Sequence, residues 1–310
     1  MYIKFIMYIK FIIIIIITLV LIYLIYGNRN ELFNNNEFSS TSFIMNYSQF
    51  KKWYNNQQFD SNKIPKILYK TSFQSKEELP IEIINIMYDT FKNNPEFIQV
   101  YFSDEDCLQF ITEYYPEYLH AYHIIIPGAF KADLFRILLL YKYGGIYNDL
   151  SHMYLIKIKD IIDFDKQELV LVRDYPVFAD NENNMHGLYN AFIASNPRNE
   201  YIYNVIQQTV QNIETRSYGI HCHDITGPLV FTRIFNRMSK RSEESIIERG
   251  EYNNGKILVL YNTYHYIIDK NNLNIIKLKI DNHYDILYKK RNIKHYYDLW
   301  NDHNVFKIEN

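Results

Sequence analysis

Apolar and polar positions divide the chain into three stretches: an apolar leader, a polar segment, and a long region where strand-like and helix-like periods alternate. In the third stretch, residues 63–70 read as a buried strand entered through Pro65, a residue tolerated at a strand start. Ile83, Ile84, Met87 and Phe91 recur at helical spacing over 80–92. Residues 97–102 read as a second strand. Ser103 followed by three acids then predicts a capped helix running to about Tyr114. The clearest helix is 127–143, with Ala132, Phe135, Leu138 and Leu139 as its apolar stripe and Gly144-Gly145 as its stop. Residues 146–149, 169–172 and 191–194 predict short strands, and 200–214 and 225–237 predict helices. Beyond Lys256 the segments are short and alternating. Strands that alternate with helices imply an α/β domain with a mixed, mostly parallel sheet flanked by helices.

The leader contains Phe11 to Tyr26 without a charge. Extended upstream through Phe5–Ile9, it reaches the length of about 20 apolar residues that a bilayer requires. Lys10 lies near one end, where a lysine can snorkel. Lys4 and Lys10 precede the run and only Arg29 follows closely, which predicts a cytoplasmic N-terminus. A cleaved signal peptide is the other reading, but the run is long for one and no small-x-small site follows. The expected organisation is a cytoplasmic tail at 1–10, an N-terminal transmembrane helix at 11–27, a polar stem at 28–61 and one domain at 62–310. That makes a single-pass type II protein of a Golgi-like, ER-like or virus-associated membrane.

Composition narrows the classes of function. The net charge of −2 excludes a binder that holds nucleic acid by bulk positive charge. Two cysteines, Cys107 and Cys222, cannot build a disulfide framework and are expected as free thiols. The chain contains no Gly-x-Gly-x-x-Gly, Walker lysine or Gly-x-Ser-x-Gly motif.

The chemistry-bearing stretch is KADLFR (131–136) followed by YGGIYND (143–149). Asp133 and Arg136 are three apart and share a helix face. On helix chemistry alone they read as a surface salt bridge. Asp149 closes a short strand, and strand C-terminal ends are where α/β sheets hold ligands.

These blocks resemble the glycosyltransferase family 32 signature, a sugar-transferase region with an Asp-x-Asp motif. Other blocks agree in order. IPKILYKT (64–71) resembles the family's first strand, usually IPKIIHQTW. FSDED (102–106) with Tyr115-Pro116, NAFIAS (190–195), TGP (226–228) and HYYDLW (295–300) resemble later blocks. The resemblance implies a GT-A-like nucleotide-sugar-binding fold and retention of anomeric configuration. It implies a UDP- or GDP-sugar donor, a glycan or protein acceptor, and Mn²⁺ or Mg²⁺. It places Asp133, Arg136 and Asp149 in catalysis, with Tyr69 and Asn148 beside them on the donor. The metal expectation falls on Asp149, Ser151 and His295, with His152 assisting. Hard cations prefer oxygen ligands, and a divalent cation would stabilise the charge that develops on a departing diphosphate.

One departure stands out. Ser151 occupies the second motif aspartate. It opens a second reading, a catalytically inactive descendant that binds sugar or a partner. Asp174 and Asp224 are candidates for the acceptor side. His221, His223 and Asp224 have the look of ligands but read as a loop before a helix rather than a zinc site.

Overall fold

The computed structural model describes residues 42–176, 186–278 and 294–308. Among the described residues, eleven strands form one sheet: β1 (Ile44–Met45), β2 (Ile67–Thr71), β3 (Ile98–Phe102), β4 (Gly145–Asn148), β5 (Met153–Tyr154), β6 (Leu169–Arg173), β7 (Phe192–Ser195), β8 (Gly250–Tyr252), β9 (Ile257–Asn262), β10 (Tyr266–Ile268) and β11 (Asn274–Lys277). The order is β1-β3-β2-β4-β7-β6-β9-β10-β11-β5, with β8 on β9. The helices are α1 (Tyr47–Tyr54), α2 (Ile81–Asn93), α3 (Asp104–Tyr114), α4 (Leu119–Ile124), α5 (Gly128–Tyr143), α6 (Glu200–Glu214), α7 (Pro228–Met238) and α8 (Tyr296–Asn301).

The expected α/β class holds, and the sheet is mixed rather than mostly parallel. β1, β3, β2 and β4 run parallel, as do β6 and β9. β7 lies antiparallel between β4 and β6. β9, β10, β11 and β5 pair antiparallel. The reason lies in the connections: the links from β9 to β10 and from β10 to β11 are only a few residues long, and a parallel crossover needs a dozen or more.

Alternation along β2 and β4 separates two cores. Tyr69 and Tyr147, paired in register, face one cluster with Phe102, Phe110 and Phe135. Leu68 and Ile146 face the other with Val170, Phe192 and Leu258. The glycine pair fixes how α5 enters β4. Gly144 ends the helix at φ +64°, and Gly145 follows at φ +103°. A Cβ on Gly145 would lie 2.7 Å from the Tyr69 ring and 2.9 Å from the Ile67 carbonyl, so both backbone freedom and close approach to β2 demand glycine.

The type II membrane placement is corrected. Among the described residues, no helix is long and apolar enough to cross a membrane. The longest of them, α5, has 16 residues, about 24 Å at 1.5 Å per residue, and carries Lys131, Asp133, Arg136 and Lys142. The expected tail at 1–10, anchor at 11–27 and stem residues 28–41 lie outside the described residues. The rest of the expected stem is folded. β1 adds to β3, and α1 opens on an Asn46–Gln49 capping box. Tyr47 and Phe50 are fully buried, with Phe50 packed on Tyr69 and Tyr143.

Candidate active site

The site is built where α5 and β4 converge. Asp133 and Arg136 lie near the middle of α5, and both are buried rather than on the surface. Asp133 Oδ1 accepts from Asn190 Nδ2 at 2.9 Å, and Oδ2 accepts from the Thr226 hydroxyl at 2.7 Å. Arg136 Nη2 stands 3.3 Å from Asp133 Oδ1. Arg136 Nη1 donates to the Asn190 carbonyl at 2.7 Å, and Nε donates to Ala132 at 3.1 Å. Its guanidinium lies 4.4 Å from the Tyr147 ring centroid, a cation–π distance. From there Nη1 is 3.7 Å from Asp149 Oδ1, which also accepts from the Tyr147 hydroxyl at 3.2 Å. The backbone N–H of Asp149 donates to Ala191.

Burial sets the electrostatics. It pushes the Asp133 carboxyl up to about 6, against the opposing pull of Arg136 and the Thr226 and Asn190 hydrogen bonds. Burial also works against the Arg136 charge, but Tyr147, Asp133 and Asp149 outweigh it and hold the guanidinium above its ordinary range. Lys70, on β2, is almost wholly buried; its Nζ donates to the Asp149 carbonyl at 2.8 Å and the Leu150 carbonyl at 3.4 Å. Burial lowers this ammonium to about 7, and the Asp149 charge acts in the opposite direction.

The structure thus joins Asp133, Arg136 and Asp149. Asn148 is adjacent and fully buried, and its Oδ1 has no protein partner. Such an orphaned acceptor costs about 1–3 kcal/mol unless something fills it. Tyr69, expected on the donor, instead packs inside the aromatic cluster against Phe50 and Phe102. His152 is buried, with Nε2 3.1 Å from the Tyr189 hydroxyl. Burial, then Lys70 and Arg136, hold its imidazole well below the usual range. His295 caps α8, accepting from Tyr297 N. That helix packs through Tyr296 on Phe130, near the start of α5. Asp224 accepts from the backbone of Ile220 and His221 and pairs with Arg233 at 2.5 Å. Asp174 accepts from Asn262 and Tyr175 N. Both of these acids are engaged in shaping local structure.

Asn190, Thr226, Tyr147 and Lys70 were not assigned roles from sequence. All four lie within sequence blocks named above, so the signal was positional only.

The expected divalent cation does not fit the described donor set. Asp149 is the one motif carboxylate, and its Oδ1 already faces a guanidinium and a phenol. The Ser151 hydroxyl donates to the Leu278 carbonyl at 2.8 Å. Among the described residues, a group of three side chains close enough to share an ion occurs elsewhere, at His221, Cys222 and His223, with ligand atoms within 4.8 Å of one another. Both cysteines are free and buried, and burial pushes the Cys222 thiol up to about 12.

Residues 80–168 match the family model "Glycosyltransferase sugar-binding region containing DXD motif". They include Asp133, Arg136, Asp149 and Ser151. The chain is 35% identical over 98 residues to inositol phosphoceramide mannosyltransferase 3 of Schizosaccharomyces pombe, covering 32% of this chain and 26% of the relative. It is 26% identical over 181 residues to inositol phosphoceramide mannosyltransferase 2 of the same yeast, covering 57% and 48%. The chain therefore spans less than half the length of these curated relatives. A solved structure, the PaToxG glycosyltransferase, aligns with a TM-score of 0.41 and 16% identity over 62% of this chain and 78% of that one. The matched region and the mannosyltransferase relatives support a transferase of the glycosyltransferase type.

Proposed function

We propose that the chain transfers a hexose from a UDP- or GDP-sugar to a glycan or protein acceptor, with retention of configuration, at the site formed by Asp133, Arg136 and Asp149. The observation that carries this reading is the ion-pair chain from the buried Asp133 through the buried Arg136 to the partly exposed Asp149, inside the matched sugar-binding region. An ionised carboxylate offers about four acceptor positions. Two donors lie on Asp133 Oδ1 and one on Oδ2, which leaves capacity on Oδ2 for a sugar hydroxyl. Arg136 orients that carboxylate, and Asp149 faces the nucleotide side.

In the proposed step the bond between the anomeric carbon and the diphosphate oxygen breaks, and its electron pair leaves with the diphosphate. The acceptor hydroxyl oxygen forms the new bond to the anomeric carbon, and its proton passes to the departing phosphate oxygen. No protein base is required. The reading as an inactive descendant, which rested on Ser151, is not favoured by the match or the relatives.

The test is donor hydrolysis by the purified full chain across a panel of UDP- and GDP-hexoses, beside Asp149→Asn. Slow release of one nucleoside diphosphate, lost in the variant, is the expected result. A folded chain that neither hydrolyses nor binds any of these donors would overturn the proposal.

A further inference from the structure

The motif turn rests on a buried cation. Lys70 Nζ hydrogen-bonds the carbonyls of Asp149 and Leu150, and the side chain reaches the turn from β2 with only 2% of its surface exposed. These bonds go to backbone oxygens rather than to a carboxylate. A buried ammonium without a carboxylate partner is costly to maintain. An anion arriving at the site would relieve that cost.

The charges around the turn have a matching logic. Two carboxylates and a dication sum to zero at an Asp-x-Asp site. Here Arg136 is balanced by Asp133, and the Asp149 carboxylate is left with the Lys70 ammonium, which holds its carbonyl, so the sum is again zero. Both changes fall on blocks where this sequence departs from the pattern it resembles: serine for the second aspartate at 151, and lysine for glutamine at 70. The Ser151 hydroxyl is directed at the Leu278 carbonyl, and Arg136 already flanks Asp149 Oδ1. A dication at Asp149 would therefore approach the buried Arg136 guanidinium and Lys70 ammonium with a single motif carboxylate to hold it, and repulsion from buried charges is weakly screened.

We propose that Lys70 supplies the positive charge that favours a nucleoside diphosphate at this site, in place of a divalent cation held by the Asp149–Ser151 turn. Lys70 acts here as a positioning residue, through the turn it supports and the field it sets. The proposal rests on the donor-binding reading above.

The test is calorimetric titration of the purified full chain with UDP and, separately, GDP, each in EDTA and in Mn²⁺. Four proteins are compared: wild type, Lys70→Gln, Ser151→Asp and the double variant. Wild type is expected to bind one nucleotide with a Kd that changes less than about threefold between EDTA and Mn²⁺. Lys70→Gln is expected to weaken binding roughly tenfold or more in EDTA, as loss of a low-dielectric charge interaction should. The double variant is expected to recover binding in Mn²⁺ alone, an outcome that a merely misfolded variant would not give. The wild-type comparison stands even if Lys70→Gln fails to fold. Wild-type binding that falls roughly tenfold or more in EDTA would overturn the role of Lys70 while leaving the transferase reading in place. No binding of either nucleotide in either condition would overturn both.

Discussion

The Thr226 hydroxyl donates to Asp133 Oδ2 at 2.7 Å across 93 positions of sequence. That single bond ties the loop before α7 to the middle of the matched sugar-binding region. It also favours the charged form of a carboxyl that burial pushes up to about 6. Thr226→Val should raise the Asp133 pKa further, so donor binding should fall off at a higher pH than in wild type. A neutral hydrogen bond to a charged group contributes about 1.5–3 kcal/mol, so the weakening should be readable as a shifted pH profile of nucleotide-sugar binding.

Arg136→Lys should not behave as a conservative change. Lysine cannot reproduce a fork that reaches the Asn190 and Ala132 carbonyls while lying over the Tyr147 ring. Loss of donor hydrolysis by on the order of a hundredfold is expected, since the shared partner of the buried Asp133 and of Asp149 is removed. A variant within about threefold of wild type would show that the guanidinium is not the hub of the site.

Asp174 offers a pH test away from the donor. Burial raises its carboxyl to about 6, with the Asn262 and Tyr175 hydrogen bonds acting in the opposite direction. A folded-state pKa above the unfolded value of 3.8 means that the folded chain holds this proton more tightly. The stabilisation is full below about 3.8 and is lost as pH rises through about 6. Asp174→Asn should flatten that part of the stability curve, by at most roughly 3 kcal/mol. Thermal unfolding in steps between the two values measures the slope, and an unchanged slope would refute the assignment.

Gly145→Ala should destabilise the fold by roughly 2 kcal/mol or more, because a positive φ and an overpacked Cβ act together. Gly128→Ala is the control: nothing lies within 4 Å of its would-be Cβ, and a change within about 1 kcal/mol is expected there. Denaturant midpoints compare the two.

Phe50→Ala tests whether the chain upstream of residue 62 belongs to the core. Removing a fully buried phenylalanine costs about 3–5 kcal/mol. A change below about 1 kcal/mol, as for a residue on a solvated tether, would contradict the packing of Phe50 on Tyr69 and Tyr143.

What the sequence disclosed, and what it hid, follows from where the determinants lie. The α5 stripe, its glycine stop and the capped start of α3 are local, and each was legible from neighbours a few positions apart. α1 was not, because Tyr47, Phe50, Trp53 and Tyr54 are interleaved with serine, glutamine and lysine, and β1 is only two residues long. The burial of Asp133 and Arg136 was hidden too. Their spacing is that of any exposed helical ion pair, and only Asn190 and Thr226, distant in sequence, show that they are enclosed. The roles of Lys70 and Tyr147 depend on the β2–β4 pairing, which no periodicity within either strand specifies.

The reversed strand β7 has a consequence for how this protein can vary. β4 leaves the sheet at Asn148, opposite Phe192, where β7 enters it. A strand running with its neighbour would contribute its exit to that edge; β7 contributes its entrance. Asn190 and Ala191, which reach Asp133, Arg136 and Asp149, therefore lie ahead of the strand, whereas Asn196, just past its end, bonds the Ser61 carbonyl at the opposite edge. Changes immediately before β7 address the Asp133–Arg136–Asp149 site, and changes immediately after it address the far rim, so two segments only a few residues apart are free to diverge under separate demands.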